Sequence, residues 1–71
     1  MILKKFAVEI TKGNTETVIA VRNTREEAEA FAEEYVKTMS KDQGLLTLFS
    51  GEFDENDQRI DMNERILRIW R

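Results

Sequence analysis

The sequence predicts an α+β domain of order ββαββ, one helix packed on one face of a mostly antiparallel sheet. Three observations predict it. Residues 23–41 repeat apolar side chains at helical spacing. Residues 2–23 form two alternating or β-branched runs joined by a two-residue turn signal. Residues 45–49 are a short apolar run of strand length, and a fourth run rich in β-formers closes the chain. All 71 residues are read as a single domain, because no linker, repeat or low-complexity segment divides them.

In the first run Phe6, Val8 and Ile10 alternate with Ala7, Glu9 and Thr11, the period-two pattern of a half-buried strand. Gly13-Asn14 between Lys12 and Thr15 signals a tight hairpin, with glycine supplying the positive φ of a type II′ turn. Pairing Lys12 with Thr15 sets Ile10 against Thr17, Val8 against Ile19 and Phe6 against Val21. That register gathers the large apolar groups on one face and turns Ile2, Val18 and Ala20 to the other. It also sets Lys5 against Arg22, a like-charge pair.

The helix is expected from Thr24 to about Lys41, with Ala28, Phe31, Ala32, Tyr35, Val36 and Met39 on one face. Thr24 and Glu27 have capping-box spacing, acidic residues crowd the first turn, and Gly44 is the expected stop. Phe31 and Tyr35 are its expected anchors to the sheet. Glu26, Glu29, Glu33 and Glu34 form an acidic strip on the outer side. A docking surface that mimics phosphate is one reading of it. The preferred reading is a solvated face with Glu33 and Lys37 paired four residues apart.

Leu45 to Phe49 reads as a strand covered on both faces, or covered on one and meeting another chain on the other, and it continues through Ser50 to Phe53 with a bulge suggested at Gly51. A polar turn, Asp54 to Asp57, follows. Residues 58–71 fit two patterns. As a strand they need a bulge near Asn63; as a helix they would start at Asp61 and bury Met62, Ile66, Ile69 and Trp70. The strand is preferred, since Ile66 to Trp70 is weak helix material.

Composition narrows the function classes. With no cysteine and no histidine, disulfides and the usual nitrogen and sulfur ligands for zinc are absent. The acidic turn does not make a calcium loop. Taking Asp54, Asn56 and Gln58 as first ligands puts Arg59 where glycine is needed and Arg65 where the bidentate glutamate belongs. No phosphate-binding glycine loop or activated serine occurs, and a chain this small hardly builds a cleft deep enough to shift a carboxylate pair. An enzyme is therefore not expected, and neither is a cofactor. A chain with no secretory signal and no long apolar run is expected to be soluble and cytoplasmic, with no membrane partner.

Net charge is −3. Residues 1–23 and 58–71 carry +2 each, whereas 24–44 carry −3 and 45–57 carry −4, which suggests end strands that neighbour each other in the sheet. Lys4, Lys5, Arg65, Arg68 and Arg71, with Trp70 as a stacking aromatic, are the candidate nucleic-acid patch. Edge-strand arginines that discourage aggregation explain the same residues more simply. The leading expectation is a small acidic interaction or regulatory module that binds a protein partner. One helix covers only one sheet face, so a homodimer is expected, with Leu46, Leu48 and Trp70 at or near its interface.

Overall fold

The structure, a computed structural model, describes residues 1–70 apart from the side chain of Lys41. Strands β1 (Leu3–Lys12) and β2 (Thr15–Arg22) precede helix α1 (Arg25–Val36). A 3-10 turn (Lys41–Gln43) and strands β3 (Leu45–Phe53) and β4 (Arg65–Trp70) follow. The four strands make one antiparallel sheet in the order β2-β1-β3-β4, with α1 on one face: the α+β arrangement expected. Residues 65–70 are strand, not helix. The basic chain ends are not neighbours, because the connection through α1 inserts β3 between β1 and β4.

Gly13 has φ 60° and Asn14 is not left-handed, as a II′ turn requires. From Lys12 the hairpin keeps the expected register to Glu9–Val18, then shifts by one: Val8 faces Ala20, Ala7 faces Val21 and Phe6 faces Arg22. Ile19 is the extra residue of a bulge, and a bulge reverses which residues face the helix. Small Ala20 consequently lies under the helix, while Val21 joins the opposite face with Val18. Lys5 does not face Arg22. A second bulge lies at Leu67 in β4 and not near Asn63. Gly51 stays in register with Lys5 and makes no bulge; a Cβ there would press on the Glu64 side chain at 3.1 Å.

Thr24 caps α1, its hydroxyl accepting from the Glu27 amide at 3.2 Å and donating to the Glu27 carboxylate at 3.0 Å. The helix ends at Val36, short of the expected Lys41, where Thr38 and Met39 donate to carbonyls three residues back and tighten the chain into turns. Met39 still packs on the core. Ala28 and Ala32 are the fully buried residues of α1, whereas Phe31 and Tyr35 are half-buried beside them and stacked at 5.8 Å. Small residues under a helix let its backbone come close, so the aromatics seal the margins and do not anchor the centre. Val8, Ala20, Leu46, Leu48 and Trp70 complete this core.

Candidate functional site

Leu46 and Leu48 are fully buried beneath α1, and Trp70 is buried in the same cluster. The expected interface triad is therefore the domain's own core, a correction that follows from register. Leu46 pairs with Ile10 and Leu48 with Val8, both on the helix side. The indole N–H of Trp70 has no hydrogen-bond partner among the described residues.

The described residues of the expected nucleic-acid patch are divided between the two sheet faces, Lys4, Arg65 and Arg68 on the helix side and Lys5 on the other. Arg68 reaches across to the helix, 2.7 Å from Glu33 and 3.4 Å from Glu29, with its guanidinium over the Trp70 ring at 4.5 Å. The acidic strip on α1 thus holds β4 from within, and Lys37 pairs with Glu34 instead of Glu33. Lys5 is paired with Asp57 on the sheet face away from the helix, while Lys4 is exposed and alternates to the other side. Arg65 is exposed at the start of β4; Arg71 lies outside the described residues.

The face opposite α1 carries the features that packing leaves unexplained. Register places Leu45, Thr47 and Phe49 of β3 there with Ile66 and Ile69 of β4, Ala7, Glu9 and Thr11 of β1, and Val18 of β2. Its two ends differ. Toward Phe53 the face is covered: Phe49 and Phe53 are 2% and 1% exposed and stack at 6.3 Å. Leu45 at the other end and Ile66 and Ile69 along the β4 edge are exposed, by 41%, 64% and 41%. Sequence reasoning missed these groups because the bulge at Leu67 decides which β4 side chains point outward.

An ionic cluster lies over Phe49. Residues 54–64 fold back so that the Arg59 guanidinium lies 4.6 Å from the centre of the Phe49 ring. It donates to Glu9 at 3.1 Å and to both oxygens of Glu64 at 2.6 and 2.7 Å, and Asp61 lies 2.9 Å away. Burial raises the Glu9 carboxyl above the usual value, against the opposing pull of Arg59, while the hydrogen bonds from Arg59 lower Glu64 and raise Arg59 itself. Beside the cluster is a depression of about 290 Å³ lined by Glu16, Phe49, Arg65 and Ile66 together with these charges. Among the described residues no group of three acidic side chains is placed to hold a metal ion, and no helix is long and apolar enough to cross a membrane. Comparison of the chain with protein-family models, with curated proteins and with solved structures gives no match.

Proposed function

We propose that this chain is a small non-enzymatic interaction module that docks through the sheet face opposite its helix, and that the partner is a second copy of itself. The observation that carries the reading is the exposure of Leu45, Ile66 and Ile69, three aliphatic side chains on the same face of the neighbouring strands β3 and β4, the face away from α1. Exposed aliphatic groups scattered singly need no explanation, whereas several on one sheet face favour a docking surface. The outer strands favour face-to-face packing over sheet extension. Both β2 and β4 carry a bulge, and β4 carries arginines, each of which blunts edge pairing. A face that meets its own copy about a two-fold axis closes the assembly at two chains.

Sedimentation equilibrium tests this reading, with Ile66→Lys as the control variant. The parent is expected to move from monomer to dimer mass in the micromolar range, and the variant to remain monomeric with an unchanged circular dichroism spectrum. A parent that stays monomeric to high micromolar concentration overturns the homodimer. Fluorescence anisotropy with an oligonucleotide at low and moderate salt decides the alternative: salt-sensitive binding there would assign the basic residues to phosphate.

A further inference from the structure

Residues 54–64 are held over the sheet in an unusual way. Their backbone ties to the sheet are few: the Ile60 amide donates to Glu52 at 3.0 Å and the Asp54 amide to Gln58 at 3.0 Å, the pair of bonds that makes the isolated antiparallel bridge of Phe53 with Arg59. The other ties to the rest of the described chain are ionic or ionic on aromatic, namely the Met1 amino group with Glu55, Lys5 with Asp57, Arg59 with Glu9, and Arg59 on Phe49. The pair of Arg59 with Glu64 lies within the segment and fixes its shape. Three residues, Asp57, Asp61 and Asn63, have φ of 60°, 63° and 54°, and they are the only described non-glycine residues in the left-handed region. Aspartate and asparagine adopt that region more readily than other side chains, yet at a cost that the surrounding contacts must offset.

We propose that residues 54–64 form an electrostatically latched strap, with Arg59 as the latch, which opens without unfolding the sheet and helix and so uncovers Phe49. The exposed Leu45, Ile66 and Ile69 are then joined by Phe49 and its stacked neighbour Phe53. Each phenylalanine adds a side chain of about 150–250 Å² to a patch that three aliphatic groups leave small against the roughly 1,200–2,000 Å² of a stable interface. This enlargement rests on the docking reading above, whereas the opening itself does not. If a second copy binds the open form, weakening the latch must strengthen the dimer, because a ligand selects the state it fits.

Native-state hydrogen exchange on the full chain tests the strap. In dilute protein the Ile60 and Asp54 amides are expected to exchange by a local opening, while Val8 and Leu48 exchange only by global unfolding. Arg59→Gln should lower protection at Ile60 and Asp54 by about tenfold or more, as loss of a charge-assisted hydrogen bond implies, and leave Val8 and Leu48 little changed. If that variant fails to fold, raising salt from low to molar on the parent should lower protection at the same two amides. Equal protection at all four amides, falling together under either treatment, overturns the strap. Local opening in a protein that sediments as a monomer throughout would instead retain the strap and remove the docking reading.

Discussion

Arg59 is the residue on which two carboxylates of opposite behaviour converge, and their pH dependence separates them. Glu64 lies below its ordinary value of 4.5, so its contribution to stability is present above that pH and is lost as pH falls through its lowered value. Glu64→Gln should therefore cost about 1–2 kcal/mol at pH 7 and almost nothing in strong acid, as denaturant melts at several pH values will register. Glu9 is raised, so its contribution is full below 4.5 and lost as pH rises through its raised value. Glu9→Gln should be neutral or mildly stabilising at pH 7, and a loss there equal to that of Glu64→Gln would show the burial cost to be small. Gly44 is constrained differently. At φ 105° and ψ −164° it occupies a region nearly exclusive to glycine, and a Cβ would fall 2.4 Å from the Thr11 carbonyl oxygen. Gly44→Ala should cost about 1–3 kcal/mol or more in chemical denaturation, whereas Gly13→Ala meets no atom within 4 Å and bears only the cost of its positive φ.

At the scale of the element, α1 is a 12-residue helix whose start is written locally and whose position is set by the sheet. Twelve residues are marginal alone, so the cap and the buried alanines both matter. Thr24→Ala removes the acceptor for the Glu27 amide and should lower stability by about 0.5–2 kcal/mol, read as a shift in melting temperature. The two bulges belong to this scale as well. Ile19, Ala20 and Val21 are all apolar, and so are Ile66 and Leu67, so either phase of the strand buries something apolar. Alternation alone therefore could not locate the slip at either site.

The whole molecule is a two-layer domain with a small core, in which truncation should be felt strongly on the helix side and weakly on the open side. Leu48 is fully buried between α1 and the sheet, and Leu48→Ala should cost about 2–5 kcal/mol, comparable with the roughly 3–5 kcal/mol that a domain of this size supplies. Ile69→Ala on the opposite face should cost well under half as much in dilute protein, measured by the same urea titration. Equal losses at the two positions would mean that the open face is covered in solution even by the monomer.

The sequence by itself determined the order of elements, the start of the helix, the hairpin turn and the strand at residues 45–53, because each is written in neighbouring residues by periodicity, capping or the φ demanded of one glycine. Tertiary structure decided the rest. Placing β3 between β1 and β4 put Leu46 and Leu48 under the helix, where the sequence had suggested an interface. The bulges chose which apolar residues face outward. The contact of Arg59 with Glu9 joins positions 50 apart in the chain, and no local pattern announces such a pair. Local signals report the conformation of a few adjacent residues; the candidate site is made of side chains that only the pairing of distant strands brings together.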